Sequence, residues 1–555
     1  MKLILRLIYN LVALLLLFFL FCQSHVVAQS KKNMLEIEDY ITPYNIVSKT
    51  DGEVTYQNPI IPGFYPDPSV CRVGDDYFLV TSTFEYFPGI PVFHSRDLVN
   101  WEQIGYCIER KEQLPMGVNI FAPNIQYHNG IFYTITTNFG GKGGNFYVTA
   151  EKPEGPWSEP IWVDIRGIDP DLFFDEDGKS YIITSLFTVY EIDLQTGKLL
   201  GEGRKIWYGN GGAALEGPHI YKKDGYYYLM SAEGGTAEGH HVTIARALNI
   251  FGPYINNPAN PILAHENAAG QLNNLHGVGH ADIVQASDQS WWMVFHGYRL
   301  VGNRGIHHTL GRETCLTPVS WPKNSWPIVN GNGTVMLKMN HPTLPLNKTT
   351  DKPAKIDFDR LKLGMEWNFI HIPDNNNYSL EERKGYLRLK GDITTIGGNN
   401  SPTFVGRRVQ DINFSATTTL EFDPKYANEE AGITLVNNGT HFDLSITKFN
   451  GKRVVQVKLQ FGANTYKSDK VIINPGLVKL RIEGDQNEFT FLYAQGNDEF
   501  KKVDSVLTTY LSSETVGGFT GVYVGLYATG NGKKNSTVAD FDQFEYNTAS
   551  STNIY

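Results

Sequence analysis

Five segments of the chain repeat one pattern, a polar turn followed by a run of apolar residues. In each segment Asp, Gly or Asn precedes aromatic and aliphatic residues at the density of a β-strand. The segments begin at Gly74, Asn129, Asp177, Lys223 and Asp288. Their spacing of roughly 45 to 65 residues is typical of the blades of a β-propeller. The pattern therefore predicts five blades, over residues 58–112, 113–165, 166–213, 214–270 and 271–340.

A small polar cluster stands shortly before each of the five segments. The clusters are centred on Asp67, Asn124, Asp169, Glu216 and residues 279–282. In a propeller these clusters open the innermost strand of each blade, so they converge on one axis. Distant parts of the chain would then deliver their polar groups to a single pit, which is how an active site is built.

After the fifth unit the sequence changes character. Residues 341–355 are polar and contain three prolines, which is typical of a linker. From there to Tyr546, apolar and polar residues alternate in many stretches, as in 478–482. Such alternation predicts antiparallel strands with one buried face, and ten or more of them favour a β-sandwich. Since helical periodicity is nearly absent, we predict an all-β protein, with a five-bladed propeller over 56–345 and a β-sandwich over 355–548.

The N-terminus has the features of a secretory signal. A basic start precedes an apolar stretch, and small residues suit cleavage after Ala28. A lipid anchor at Cys22 is the less favoured alternative, because the bulky Phe21 precedes it where a small residue is expected. Residues 1–28 are therefore predicted to be removed, and 29–55 form a polar lead-in. The mature protein is expected to be exported, periplasmic or secreted, with no membrane segment.

Composition narrows the class of partner. The formal charge of −10 argues against a nucleic-acid surface. Aromatic residues make up 13% of the chain, and aromatic faces cover the C–H faces of sugar rings, which suits a carbohydrate partner. Most of these rings are nevertheless expected to fill β-sheet cores. Three cysteines remain after the signal, and an odd number argues against a disulfide framework.

Asp67, Asp169 and Glu216 are the strongest candidates for chemistry. Each alone is explained by a turn or an exposed loop, but all three occupy the same station in their repeats. Cleavage of a glycosidic bond needs one protonated carboxyl to supply a proton and one ionised carboxylate to activate water or attack carbon. A third carboxylate nearby raises the pKa of its neighbour by repulsion. These residues alone do not decide which carboxyl holds the proton.

Several longer stretches resemble glycoside hydrolase family 43. They occur in the same order as in that family, at residues 58–69, 83–89, 167–174, 216–219 and 311–314. The resemblance extends from about residue 57 to the end of the chain. Its second half is similar to the concanavalin-like C-terminal sandwich of the β-xylosidase and α-L-arabinofuranosidase branch. The resemblance implies a five-bladed propeller and an inverting mechanism.

The resemblance also implies roles for single residues. Asp67 corresponds to the general base and Glu216 to the general acid. Asp169 corresponds to the residue that sets the pKa and orientation of that acid. Arg312 matches an arginine that contacts the sugar hydroxyls and the base, and Phe84 matches an aromatic wall of the innermost subsite.

Two departures from the family pattern affect the expected substrate. Where relatives carry Trp and Asp, this chain has Phe121 and Asn124, both expected to line the substrate site. These changes favour an α-L-arabinofuranosidase over a strict β-xylosidase. Phe519 matches a sandwich loop that brings an aromatic ring to the propeller pocket, although a glycine-rich hairpin is the alternative. Asp171 stands where relatives often have Ser and is interpreted as a bystander.

The histidines give weaker signals. His280 aligns with a family histidine near a central calcium or water site, so a structural calcium is a candidate. Hydrogen bonding within the fold is the favoured interpretation, because calcium prefers oxygen ligands. No cofactor is expected to be required. The pairs 240–241 and 307–308 lack zinc spacing, and we interpret the first as pocket rim and the second as loop surface.

The leading hypothesis is an exported, exo-acting, inverting glycoside hydrolase. It would release terminal α-L-arabinofuranosyl residues from plant hemicellulose side chains or oligosaccharides. A β-D-xylosidase, or an enzyme with both activities, is the closest alternative, because the two sugars present similar hydroxyls to a small pit. A non-catalytic carbohydrate-binding protein is another. A further alternative is a retaining hydrolase similar to the invertases, which acts through a covalent intermediate. A distance of about 5 Å between the two catalytic carboxyl groups would favour this alternative.

Overall fold

In the computed structural model, each of the five repeated turns joins the first two strands of its own antiparallel sheet. Asn129 and Gly130 have φ angles of 50° and 86°, and Asp224 and Gly225 have φ angles of 52° and 80°. Both central residues of these turns are left-handed, as in tight two-residue hairpins, and Asn, Asp and Gly tolerate that conformation best. The turn chemistry therefore fixes where the hairpins lie.

The structure describes residues 48–50, 53–265, 275–301, 307–340, 344, 354–398, 400–534 and 537–548. The predicted signal and most of the predicted lead-in and linker lie outside these ranges. Within them, no helix combines the length and apolar character needed to cross a membrane. The end of the lead-in carries more structure than its sequence indicates. Here β1 (Ser48–Thr50) pairs with β2 (Glu53–Gln57), and β2 pairs with a strand at Lys338–Asn340.

Five antiparallel sheets follow. The first contains β3 (Ser69–Val73), β4 (Asp76–Val80), β6 (Gly89–Ser95) and β7 (Glu102–Ile108), with β5 (Tyr86–Phe87) outside it. The second contains β8 (Asn124–His128), β9 (Ile131–Asn138), β10 (Gly144–Ala150) and β11 (Ile161–Val163). The third contains β12 (Asp171–Phe174), β13 (Ser180–Ile183), β14 (Thr188–Asp193) and β15 (Lys198–Lys205).

The fourth sheet contains β16 (Glu216–Lys223), β17 (Tyr226–Glu233), β18 (His241–Ala247), β19 (Ile255–Asn256) and β20 (Leu263–Ala264). The fifth contains β21 (Leu275–Gln285), β22 (Trp291–Arg299), β23 (Glu313–Ser320) and β24 (Ile328–Val329), after which β25 (Lys338–Asn340) pairs with β2. The first strand of each sheet contacts the first strands of two other sheets, and these contacts close a ring. The predicted five-bladed propeller is thereby confirmed.

Four of the five polar clusters contain a residue with a positive φ angle. Asp67 and Asp169, two residues before β3 and β12, have φ angles of 54° and 53°. Gly217 in β16 and His280 in β21 have φ angles of 55° and 46°, where the ladders of these strands are irregular. Non-glycine residues rarely adopt positive φ values, and such values concentrate at functional sites.

The second half of the chain forms two packed sheets. One contains β26 (Lys355–Ile356), β28 (Tyr378–Ser379), β29 (Leu387–Lys390), β31 (Phe414–Glu421), β37 (Val478–Gly484), β38 (Glu488–Gln495), β39 (Lys501–Leu507) and β41 (Val538–Thr548). The other contains β30 (Phe404–Arg408), β32 (Glu430–Asn437), β33 (Thr440–Phe449), β34 (Lys452–Phe461), β35 (Asn464–Lys467), β36 (Val471–Ile472) and β40 (Tyr523–Thr529). Two 3₁₀ turns (Asn375–Asn377, Thr508–Leu511) and one short helix, α1 (Ser513–Val516), complete it.

Alternation along the strands explains the packing of this sandwich. In β37, Val478, Leu480 and Ile482 are buried, while Lys479 between them is exposed. The buried face of each sheet contributes to one apolar cluster between the two sheets. The predicted β-sandwich is therefore confirmed.

Propeller and sandwich pack directly against each other. The strand β27 (Phe369–Ile370) pairs with β5 of the first blade. Arg408 of the sandwich is buried, and its Nε donates to the carbonyl oxygen of Phe64 at 2.6 Å. The rings of Tyr86 and Tyr523 stack at 3.7 Å. These contacts bring the loops of the sandwich to the end of the propeller where the acidic residues lie.

Candidate active site

Asp67 lies at the centre of a buried polar cluster. Its Oδ1 accepts from the Arg312 guanidinium at 2.5 Å, and its Oδ2 accepts from the Ser82 hydroxyl at 2.5 Å. The imidazoles of His296 and His280 lie 3.0 Å and 3.6 Å from Oδ1. The carboxylate is thus held in one orientation by donors from the first and fifth blades.

These neighbours keep Asp67 ionised. Burial opposes the charged form, but the neighbouring groups, above all the Arg312 guanidinium, outweigh it and hold the pKa of Asp67 well below its ordinary value. Burial lowers the pKa of His280 to about 3 and of His296 to about 4, so both rings are neutral near pH 7. At that pH the persistent positive charge is the guanidinium, which we regard as the main stabiliser of the carboxylate.

Asp169 and Glu216 form the second acidic group of the site. The backbone N–H of Gly217 donates to Oδ2 of Asp169 at 3.1 Å, so Asp169 binds the chain directly after Glu216. Burial, Glu216 and Asp67 raise the pKa of Asp169 well above its ordinary value. Burial and the charge of Asp67 raise the pKa of Glu216 to about 7, against the opposing effect of Arg312. Two carboxyls coupled in this way titrate as a pair.

Exposure distinguishes the members of this pair. The Glu216 side chain is 22% exposed, whereas Asp169 is buried. Glu216 is therefore the member that a bound molecule can reach, and Asp169 is bound to the backbone of the next residue. The site holds an ionised carboxylate and, near neutral pH, a protonated carboxyl that is open to a ligand. Hydrolysis of a glycosidic bond requires this combination.

The donor atoms around Asp67 determine whether this site could bind calcium. Asp67, His280 and His296 each offer a ligand atom, and these atoms lie within 4.8 Å of one another. Calcium takes six to eight oxygen ligands, whereas two of these three donors are imidazole nitrogens. The only carboxylate of the three is already bound by Arg312. This donor set does not fit calcium.

An aromatic wall stands beside the carboxylates. Phe84 lies 4.8 Å from Phe121 and stacks on Phe519 of the sandwich at 5.6 Å. Phe139 extends the wall, 4.5 Å from Phe121 and 54% exposed. The Arg312 guanidinium lies 5.7 Å from the centre of the Phe84 ring and 5.8 Å from that of Phe519. Arg312 and Phe84, taken from the family pattern, thus lie together with Phe519 next to Asp67.

The loop that carries Phe519 is anchored by a histidine that we expected at the surface. His307 and His308 are both buried, which corrects that expectation. Nδ1 of His308 lies 2.6 Å from Oε1 of Glu514 in α1, and His307 contacts Thr508. The partners come from the sandwich, about 200 residues later, so the local sequence does not reveal them.

Asn124 and Asp171 hold inner strands together rather than facing a ligand. Asn124 is buried; its amide nitrogen donates to Ser69 at 3.3 Å and its oxygen accepts from the Leu172 N–H at 3.4 Å. This placement corrects its expected contact with the substrate. Asp171 is buried, 3.3 Å from Nδ1 of His219, and accepts from the backbone N–H of Ile220.

One member of the site was not identified from sequence, and a second was expected in a more exposed position. His296 lies in the middle of β22, away from the polar clusters, and its signal is only that it interrupts an apolar strand. His240 was expected at the pocket rim but is fully buried, with Nε2 3.6 Å from Oε1 of Glu216. Among the sequence-predicted residues, the structure brings Asp67, Asp169, Glu216, Arg312 and His280 into one cluster, with Phe84, Phe121 and Phe519 beside it.

Comparison with known proteins gives the same family for both domains. The sequence pattern of glycosyl hydrolases family 43 matches residues 56–327, and that of the beta xylosidase C-terminal concanavalin A-like domain matches 355–547. The chain is 44% identical to the non-reducing end alpha-L-arabinofuranosidase BoGH43B of Bacteroides ovatus, over 89% of this chain and 94% of that one. It is 38% identical to a xylosidase/arabinosidase of Butyrivibrio fibrisolvens, over 88% and 99%.

A solved structure agrees. The Bacteroides ovatus structure described as Xyloglucan PUL GH43B superposes with a TM-score of 0.85 at 42% identity, covering 89% of this chain and 100% of that one. The predicted enzyme class is confirmed: the chain is a glycoside hydrolase that acts on carbohydrate, which removes the non-catalytic alternative. Enzymes of this family need no catalytic cofactor. The chain belongs to glycoside hydrolase family 43 and carries the concanavalin-like C-terminal domain found in its β-xylosidase and arabinofuranosidase branch.

Proposed function

We propose that this enzyme is an exo-acting, inverting hydrolase that releases terminal α-L-arabinofuranosyl residues from plant hemicellulose side chains or oligosaccharides. One observation carries the assignment of base and acid: Asp67, bound by Arg312, and the partly exposed Glu216 lie in one site and have pKa values displaced in opposite directions. The 44% identity to a non-reducing end alpha-L-arabinofuranosidase supports the choice of sugar.

In the proposed reaction, Asp67 is the general base and Glu216 the general acid. Asp67 takes a proton from water while the water oxygen bonds to the anomeric carbon. Glu216 passes its proton to the leaving oxygen as the glycosidic C–O bond breaks. Burial and the charge of Asp67 keep Glu216 protonated, and Asp169 fixes the backbone next to Glu216 through the N–H of Gly217. Arg312 orients Asp67 and keeps it ionised.

A β-D-xylosidase, or an enzyme with both activities, is the second candidate. The 38% identity to a xylosidase/arabinosidase favours it. The test is the initial rate with paired p-nitrophenyl α-L-arabinofuranoside and β-D-xylopyranoside under identical conditions. We expect kcat/KM to be higher for the arabinofuranoside. A higher value for the xyloside would transfer the assignment to the second candidate.

We also propose that the enzyme is exported, periplasmic or secreted. The basic start, apolar stretch and small residues before position 29 support this proposal. The test is the N-terminal sequence of the protein recovered from the periplasm or medium, which should begin after Ala28. Recovery of the intact leader from the cytoplasm would contradict it.

The pH dependence follows from the two shifted carboxyls. The pKa of Glu216 is raised to about 7, so the acid loses its proton, and kcat/KM falls, above about pH 7. The pKa of Asp67 lies well below its ordinary value, so the base stays ionised and the acidic limb lies below about pH 4. A profile of kcat/KM against pH measures both limbs. An alkaline limb near pH 5 would contradict the assignment of Glu216.

Phe519 is expected to contribute to sugar binding from the sandwich. Its ring is 46% exposed and stacks on Phe84, so one face is free for a ligand. Phe519→Ala should raise KM for the arabinofuranoside by about 3- to 10-fold, with a smaller effect on kcat. Phe449 is exposed to the same fraction elsewhere on the sandwich, and Phe449→Ala is the matched control with no expected change in KM. Equal KM values for both variants would remove Phe519 from the site.

A further inference from the structure

Two buried histidines connect the carboxyl groups of Asp67 and Glu216. Nδ1 of His296 lies 3.0 Å from Oδ1 of Asp67, and Nε2 of His296 lies 3.1 Å from Nδ1 of His240. Nε2 of His240 lies 3.6 Å from Oε1 of Glu216. Both imidazoles are fully buried. A neutral imidazole has one N–H donor and one acceptor nitrogen, so the chain has a direction that its end groups determine.

The end at Asp67 sets that direction. The backbone N–H of Asp67 donates to Nδ1 of His296 at 3.2 Å, and the Arg312 guanidinium approaches the same nitrogen at 3.5 Å. Both groups can only donate, so Nδ1 is the acceptor nitrogen. The same guanidinium nitrogen also donates to Oδ1 of Asp67. It thereby bridges two acceptor atoms that face each other, Oδ1 of Asp67 and Nδ1 of His296. Burial and Arg312 keep His296 neutral by lowering its pKa to about 4, so its proton is on Nε2.

The second ring follows from the first. Nε2–H of His296 donates to Nδ1 of His240 at 3.1 Å, with Thr236 as a more distant partner at 3.5 Å. Burial, followed by the neighbouring His296, holds the pKa of His240 well below its ordinary value, so this ring is also neutral. Because Nδ1 accepts, the single proton of His240 is on Nε2.

That N–H group is buried and has no hydrogen-bond partner among the described residues. A buried unpaired donor is destabilising unless a partner is within reach. Oε1 of Glu216, 3.6 Å away, is the acceptor in that position. Catalytic hydrogen bonds are often long in a free enzyme and shorten when substrate is bound.

We propose that His240 is a positioning residue, which donates from Nε2 to Oε1 of Glu216 and so leaves Oε2 to carry the proton towards the leaving oxygen. The bond strengthens as Glu216 gives up its proton, since a carboxylate is a stronger acceptor than a carboxyl group. His240 thus stabilises the negative charge that develops on Glu216. The tautomer of His240 is determined by the groups around Asp67, through His296. This inference rests on the proposed role of Glu216.

The proposal predicts the sign of a pKa change. A donor to the carboxylate lowers the pKa of Glu216, so its removal raises the alkaline limb. Other charged or titratable groups also surround Glu216. They are Asp67, Asp169, Arg312 and His280, the last of which packs against the neighbouring Gly217. All of them remain when only His240 is changed.

The test compares His240→Phe and His240→Leu with His240→Gln, whose amide N–H keeps a donor. For a methyl arabinofuranoside, kcat should fall about 10- to 100-fold in the Phe and Leu variants. For the nitrophenyl substrate, whose leaving group needs little help, kcat should fall less than about 3-fold. The alkaline limb should rise by about one pH unit, and Gln should restore both values in part.

A matched control is His265→Gln, at a buried propeller histidine that binds Leu275 and Val335. It should leave the alkaline limb and the ratio of the two rates unchanged. Equal losses on both substrates, an unmoved alkaline limb and no restoration by Gln would show that His240 is only structural. A retained anomer from the wild-type enzyme would instead overturn the proposed function itself, so the two failures are distinguishable.

Discussion

Glu216→Ala is expected to lower kcat/KM for methyl α-L-arabinofuranoside by about 10³- to 10⁴-fold, but for the nitrophenyl arabinofuranoside by less than about 10-fold. The alkoxide leaving group of the methyl glycoside needs a proton as the bond breaks, whereas nitrophenolate leaves without one. The measurement is kcat/KM for both substrates at pH 6, where most of the wild-type acid is protonated.

Glu216→Gln is the matched variant, because the amide keeps the size of the side chain but cannot act as an acid. It should show the same dependence on the leaving group. Added azide should not produce an arabinosyl azide of retained configuration. Such a product needs a covalent glycosyl-enzyme intermediate, which an inverting mechanism does not form. Equal losses on both substrates would contradict the role of Glu216 as the acid.

Asp67→Asn is expected to lower kcat by roughly 10³-fold or more on both substrates, whatever the leaving group. Water must be deprotonated as it attacks in either case, and an amide cannot accept that proton. Asn keeps the shape of Asp; its oxygen can accept from Arg312 and its NH2 group can donate to the Ser82 hydroxyl oxygen, so the fold should change little. The measurements are kcat for the two substrates and the melting temperature.

Asp171→Asn provides the control for Asp67. This aspartate is also buried at the start of an inner strand, but it pairs with His219 and the backbone of Ile220. Its replacement should lower the melting temperature and leave kcat on both substrates nearly unchanged, because breaking a buried pair mainly destabilises the fold. If Asp171→Asn lost as much activity as Asp67→Asn, the special role of Asp67 would not stand.

The blades could be predicted because their signals are local. The pairs Asn129–Gly130 and Asp224–Gly225 are hairpin turns in sequence and in structure, and the acids stand at a fixed position relative to such turns. The alternation in β37 is likewise a local pattern that reports one buried face. Where neighbours along the chain decide the conformation, the sequence indicates it directly.

The errors arise where distant residues decide the environment. His308 is buried, and its ring nitrogen contacts Glu514, about 200 residues later in the chain. The end of the lead-in becomes a strand because β25, about 280 residues away, pairs with it. Asn124 and His240 lie near the site in sequence patterns, but their side chains point into contacts between strands of different blades. No local rule reveals such pairings.

The most direct test is the configuration of the first-formed sugar, followed by ¹H NMR during hydrolysis of p-nitrophenyl α-L-arabinofuranoside before mutarotation. Water activated by Asp67 on the face opposite the leaving group should give β-L-arabinofuranose first. If the α anomer is formed first, the reaction passes through a covalent intermediate, and the assignment of Asp67 as base and Glu216 as acid of a single displacement is wrong.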